Sequence, residues 1–204
     1  MPIRRRLRSM KFSVSEIEGL VRHRRTIHPK DYTDRIVHRE IVERVVANGT
    51  WAPSHGMTQP WRFTVFTGAS RQRLADLLGE TYRSTTPPDS FLQRKFDNLT
   101  QRPMQSSVVI AIGMVRDPRG KISELDEMLA VACAVQNMHL TCAAYGLGAF
   151  WNTAAAATGP AMRDFLGLGP KDRALGLFYI GYPAVEWPKG YRKPLDQVMT
   201  WLDT

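Results

Sequence analysis

Hydrophobic positions along the chain switch between a helical spacing of three to four and a strand spacing of two. Ile17, Leu20 and Val21 share one helical face, and Ser15 and Glu18 are spaced as a capping box ahead of it, which predicts a helix ending near Arg24. Ile41, Val42, Val45 and Val46 repeat the spacing from about His38, and Asn48-Gly49 stops it. "WRFTVFTG" (61–68) then alternates: Trp61, Phe63 and Val65 face one way, Arg62, Thr64 and Phe66 the other, as in a strand. Ser70 is placed to cap a helix carrying Leu74, Leu77 and Leu78. "STTPPDS" (84–90) is a loop. The whole segment 84–103, with Pro87, Pro88 and Pro103 among Phe91, Leu92 and Phe96, is the expected mobile part. It reads either as a lid over a site or as a short surface helix packed on its own subunit.

"SSVVIAIGMV" (106–115) reads as a buried strand. Ser123 and Asp126 cap a long helix in which Leu125, Met128, Leu129, Ala132, Val135, Met138 and Leu140 leave little room for a polar face. Such a helix lies in a core or an oligomer interface. Gly146 and Gly148 end it; a short strand near Phe150, a helix near 160–166 and the strand "ALGLFYIGYP" (174–183) follow. Helices and strands mix without strict alternation, which favours an α+β fold over a doubly wound sheet.

The 204 residues suffice for one sizeable core. Net charge is +9, and Arg4, Arg5, Arg6 and Arg8 supply four of those charges, so residues 1–14 read as a basic, flexible tip and 15–204 as one domain. The basic balance favours an anionic partner: nucleic acid, a membrane surface or a phosphate-bearing ligand. No apolar segment follows the charges of "MPIRRRLRSMKF", so no signal peptide is expected. The apolar stretch 128–151 carries Gln136, Asn137 and His139, which argues for a buried helix rather than a membrane span. Cys133 and Cys142 form neither a disulfide framework nor a zinc knuckle, and a reducing cytoplasm fits.

Several chemistries have no sequence support. "GLGAFW" follows a helix rather than a strand, unlike a dinucleotide fingerprint, and "LGLGPKD" lacks the lysine-hydroxyl ending of a phosphate loop. There is no G-x-S-x-G, no H-E-x-x-H and no neighbouring carboxylate pair. His23, His28, His38, His55 and His139 show no metal-ligand spacing, so no metal is expected, and His139 reads as a core or interface histidine. What remains is a binding module or an enzyme whose cofactor carries the chemistry. A reduced flavin delivers hydride; its protein supplies a phosphate seat, ring placement and an open face. "HRRTIHP" (23–29) is either such a seat or a solvated basic surface.

The order of motifs decides. R-R-T-I stands about fifteen residues before a helix, and "APSHGMTQPWRF" (52–63) enters a strand. The long apolar helix, "GLGAFWNTAA" (146–155), "FLGLGPKDRALGLFYIGYP" (165–183) and "YRKPLDQVMTW" (191–201) follow. From about Ser15 onward the chain resembles the FMN-dependent nitroreductases, especially the small single-domain members. The resemblance implies an α+β fold with a central, mostly antiparallel sheet flanked by helices, built as an intertwined homodimer with FMN sites at the interface. It implies tightly bound FMN, NAD(P)H as electron donor and ping-pong transfer to nitroaromatics, quinones or similar acceptors. It assigns Arg24, Arg25 and Thr26 to the FMN phosphate and ribityl chain, with Arg192 and Lys193 closing on the phosphate. Trp51, Ser54 and His55 fall in the loop that reaches flavin across the interface, though Trp51 reads equally as a core anchor. Trp151, Asn152 and Thr153 fall beside the isoalloxazine ring. Met57 stands where asparagine is common, and His28 where arginine or lysine is common. Gln59 reads as fixing its loop, and Trp187 and Trp201 as packing residues. No side chain is assigned as a catalytic acid or base.

Two rivals remain. Reductive dehalogenation or flavin fragmentation uses the same fold but needs a specialised lid. A nucleic-acid-binding protein would explain the charge, but no helix-turn-helix, zinc or RNA-binding motif appears, and no nucleic-acid or membrane partner is expected.

Overall fold

Four strands form one antiparallel sheet in the order β1-β2-β4-β3: β1 (Trp61–Phe66), β2 (Val108–Met114), β3 (Gly148–Asn152) and β4 (Arg173–Gly181). The computed structural model of the chain describes residues 12–203, so the arginine tract at positions 4 to 8 lies outside the described residues. β2 is buried along its whole length because both of its faces are covered. Ile110, Ile112 and Met114 point to one core, together with Phe178 and Ile180 of β4. Val109 and Ala111 point to the other, with Leu177 and Tyr179. The first core is closed by α2 (Arg39–Gly49) and α5 (Glu124–Ala144). The second is closed by α3 (Ser70–Thr85), α4 (Gln93–Gln105), α6 (Ala155–Thr158) and α7 (Pro160–Phe165). The expected α+β class and mostly antiparallel sheet are found.

Local details differ from the periodicity reading. The first helix, α1 (Val14–His23), is capped by Ser13, whose hydroxyl accepts from the Glu16 N–H at 3.3 Å. Ser13 and Glu16 carry the same Ser-x-x-Glu spacing as Ser15 and Glu18, two residues earlier. Ser70 is the first residue of its helix rather than its cap, because its hydroxyl turns back to the Thr67 carbonyl at 2.7 Å. The segment 84–103 is mostly helix: α4 packs along α3 on its own subunit, with Leu99 and Pro103 buried and Phe96 against Gly79. α5 ends as expected, with Gly146 left-handed at φ 67° and the Leu147 N–H closing on the Cys142 carbonyl at 2.8 Å.

Two devices place the outer strand. Gly176 has φ 118°, and a Cβ there would strike the Asn152 carbonyl and Trp151 Nε1. It sits at the register shift between Ile112 and Gly113, so the bulge lets β3 approach β4 closely. The segment after α1 then runs along the free edge of β3, with Thr26 bridged to Ala149 and the Ile27 N–H donating to the Ala149 carbonyl. Tyr32 pins it. Its ring lies where a side chain at Gly148 or Gly181 would be, and its hydroxyl donates to the Ile27 carbonyl at 2.8 Å.

Candidate functional site

The structure gathers Arg24, Arg25 and Arg192 around one cavity of about 570 Å³, which Val21 and Arg22 of α1, Gln136 of α5 and Gly190 also line. The first three come from two places: Arg24 caps α1 and Arg25 follows it, whereas Arg192 lies in the C-terminal tail. Arg25 is fixed by backbone oxygens. Its Nε donates to the Pro188 carbonyl at 2.9 Å, and its Nη1 donates to the carbonyls of Arg22 and Arg24. The tail is held there by Trp187, whose ring stacks on His23 with centroids 4.9 Å apart and whose indole N–H donates to the His23 carbonyl. Trp187 thus packs as expected, whereas Trp201 is exposed. Gly190 lies so close to the Arg25 guanidinium that a Cβ would overlap it.

Among the described residues, none of the three arginines has a carboxylate partner. Burial, and then the like charges of Arg192 and Arg25, push the Arg24 guanidinium below its ordinary value. Four clustered cations, Arg22 included, without a counter-charge among the described residues are an anion seat, and guanidinium forks suit a phosphate. His139 lies behind this wall, one turn of α5 beyond Gln136. It is buried, its ring meets Phe178 edge-on at 4.7 Å, and its Nδ1 has no hydrogen-bond partner. Burial, with the Arg24 charge second, holds its imidazole down to about 4.

Along β3, Trp151 and Asn152 lie at the end of the strand that carries the Arg24–Ile27 segment on its edge. The Trp151 indole N–H donates to the Leu175 carbonyl at 3.0 Å. Asn152 Oδ1 accepts from the Ala154 N–H at 3.0 Å, while its Nδ2 is buried without a partner. Thr153 is exposed beyond it. The buried Asn152 amide neighbours the buried Tyr179 hydroxyl, so it shapes the turn that ends β3 from inside the core.

Trp51, Ser54 and His55 are not in the arginine cavity. His55 Nδ1 is 3.2 Å from Asp126 Oδ2 in the first turn of α5, whereas Gln136 lines the cavity ten residues on, about 15 Å along the helix. Hydrogen bonds with Ser123 and His55 hold the Asp126 carboxyl below its usual range. Ser54 accepts from the Gln59 N–H, and Met57 (φ 54°) and Gln59 (φ 46°) are both left-handed, an uncommon conformation for either residue. Gln59 thus belongs to the loop's own scaffold. Trp51 is 85% exposed and is no core anchor of its own subunit. Lys193 is exposed and does not line the cavity.

Gln136, Gly190 and His139 were not assigned to the site from sequence. Gln136 and His139 were visible as polar interruptions of an apolar helix, but nothing in their spacing said what they face. Another cavity, of about 650 Å³, lies elsewhere. It runs along β1 between Ile36, Val42 and Val65, and is a groove at the sheet edge. No group of His, Cys, Asp and Glu suited to a metal occurs among the described residues.

Known proteins share both fold and sequence. The chain is 30% identical over 154 residues to the Haemophilus influenzae "Putative NAD(P)H nitroreductase", a match covering 74% of this chain and 81% of that protein. The crystal structure of a nitroreductase-like family protein from Bacillus cereus superposes with a TM-score of 0.80 at 25% identity, covering 95% of this chain and 100% of that one. A Desulfovibrio desulfuricans structure, described as a "putative nitroreductase in complex with fmn", superposes with a TM-score of 0.66 at 25% identity over 92% of this chain and 97% of that one. The family model described as the nitroreductase family matches residues 21–182, a span running from the last turn of α1 through all four strands, and the chain belongs to that family.

Proposed function

We propose that the protein is an FMN-dependent oxidoreductase that takes reducing equivalents from NAD(P)H and passes them, by a ping-pong exchange at one open face, to nitroaromatic, quinone or similar acceptors. The observation that carries this reading is the cavity of Arg24, Arg25 and Arg192, with Arg22 beside them and no carboxylate in its lining, in a chain of this family. The FMN named for the Desulfovibrio desulfuricans relative and the NAD(P)H named for the Haemophilus influenzae relative support the same cofactor and donor. When bound, FMN supplies the hydride-transfer chemistry, and the chain's residues bind and orient it.

In this reading Arg24 and Arg192 take the phosphate oxygens through charge-assisted hydrogen bonds. Arg25, tied to three backbone carbonyls, keeps the seat in shape, and Thr26 offers a hydroxyl to the ribityl chain. Asn152 and the backbone after it hold the ring edge, and Trp151 bounds its plane. Lys193 adds charge at the rim. Trp51, Ser54 and His55 act on the partner's flavin in an intertwined homodimer. Their distance along α5 from the arginine cavity supports this. So do the uncovered apolar residues Ile17 and Val21 of α1, and Leu125 and Leu129 of α5. An isologous partner covers such faces.

The test is direct. Purified protein should show visible flavin bands near one FMN per chain, bleach with NADH or NADPH without oxygen, and recolour with a quinone. It should sediment near twice 23.1 kDa. A colourless protein that takes up no added FMN would overturn the reading.

A further inference from the structure

A second cationic cavity lies on the opposite face of β3. Its volume is about 610 Å³; one wall is α4, with Lys95, Asn98 and Arg102 in a stripe, and the other includes Ala154 just past Asn152. The spacing of these three α4 residues puts them on one face of the helix above the buried Leu99. Arg94 stands beside the stripe. No Asp or Glu lines this cavity, and among the described residues Arg94, Lys95 and Arg102 form no ion pair.

Arg102 is the decisive member. It is half-buried, and among the described residues its guanidinium makes no hydrogen bond. It rests 5.4 Å from the centroid of Phe150, whose other contacts are His28 at 4.6 Å and Tyr179. Lys95 is held in the same way, 5.2 Å from the Tyr82 ring. Aromatic faces position a cation without satisfying its hydrogen-bond donors. Five N–H donors thus stay available at a cavity that opens beside the end of β3. The cavity lining holds no carboxylate, and His28 adds no second cation: burial, then the Arg102 charge, pushes its imidazole down, against the pull of the Asp31 carboxylate.

We infer that Arg102, with Lys95, forms a subsite for an anionic group, a carboxylate or phosphate, on the small molecule that meets the flavin beside Asn152 and Ala154. The inference rests on the proposed flavin site and adds a charge preference to it. The anion meets Arg102 at the β3 end of the stripe, Lys95 adds its charge about 10 Å further along α4, and Phe91 lines the cavity where an attached ring would lie. The anion belongs either to the acceptor or to the electron donor, whose dinucleotide carries phosphates.

The experiment uses the flavin-loaded protein. Benzoate and the uncharged benzamide are titrated against the oxidised enzyme, reading the visible flavin band and, independently, calorimetric heat. 4-Nitrobenzoate is compared with 4-nitrobenzamide as acceptor, and NADPH with NADH as donor. The parent should favour the more anionic member of at least one pair by about tenfold or more, the usual worth of a hydrogen-bonded charge. Arg102→Gln should erase that preference through KM rather than kcat, Lys95→Gln should weaken it, and Arg102→Lys should keep most of it. A change confined to the benzoate and nitrobenzoate pairs assigns the anion to the acceptor; one confined to NADPH assigns it to the donor. If no pair shows a preference, or the preference survives both Gln substitutions, the subsite is refuted. A protein without flavin bands would instead sink the underlying reading, which the spectrum reports separately from the heat.

Discussion

Two clusters of cations flank β3, and they are built differently. On the α5 side, Arg25 is bonded to three backbone carbonyls, and a glycine and a stacked tryptophan are shaped around it. On the α4 side, Arg102 and Lys95 rest on ring faces with no hydrogen bond. The first arrangement is preorganised: its geometry is set before any ligand arrives, which suits a cofactor that stays. The second positions its cations on ring faces but leaves their N–H donors unsatisfied, which suits a ligand that enters and leaves each cycle. Charge alone does not distinguish the two; the partners of the charges do.

Substitutions on the two sides should therefore separate. The largest expected effect is on FMN affinity in Arg24→Ala/Arg192→Ala. Losing two hydrogen-bonding partners of a charged group, at roughly 1.5–3 kcal/mol each, predicts a drop of about a hundredfold or more, against no change in Arg102→Gln. Titrating apoprotein with FMN by fluorescence quenching measures both, and equal losses in the two proteins would erase the distinction.

A second, smaller effect concerns pH. The His139 imidazole sits at about 4 in the folded protein, against 6.5 in a free chain, so the unfolded state binds more protons in between. Its contribution is complete above about pH 6.5 and is lost as pH falls towards 4. Urea unfolding should show about 2 kcal/mol less stability at pH 5 than at pH 7 from this group, and His139→Leu should flatten that slope. The Arg24 charge helps to depress His139, so FMN in the arginine cavity should make the slope shallower, whereas benzoate on the α4 side should leave it unchanged. Identical slopes for FMN-loaded and FMN-free protein would place the phosphate away from Arg24.

The smallest effect tests the preorganisation. In Gly190→Ala the new methyl overlaps the Arg25 guanidinium, which must leave some of its carbonyl partners. FMN affinity should fall severalfold, about 1 kcal/mol, with folding stability little altered because the residue is exposed. An unchanged affinity would mean that Arg25 does not need its fixed position.

Much of this was legible in the sequence. Alternation located β1, and apolar runs located β2, β4 and the long helix, because these segments bury real cores. Arg24, Arg25 and Arg192 could be read as one cluster only through the family pattern, since 167 residues separate Arg25 from Arg192. The caps at Ser15 and Ser70 were misplaced because a hydroxyl near a helix start has several backbone partners within reach. The α4 helix was half-hidden by Pro103, which usually ends a helix but here is tolerated near its last turn. The α4 stripe was not legible at all. Lys95 and Arg102 look like an ordinary solvated face until the structure shows Phe150 and Ala154 opposite them.

The most direct measurement of the central claim is the ratio of FMN to riboflavin affinity, because the two ligands differ only in the phosphate. The parent should bind FMN far more tightly than riboflavin, and Arg24→Ala should shrink that gap by about tenfold or more while riboflavin binding stays the same. If FMN and riboflavin lose affinity equally in the variant, or the parent never distinguishes them, the arginine cavity is not a phosphate seat.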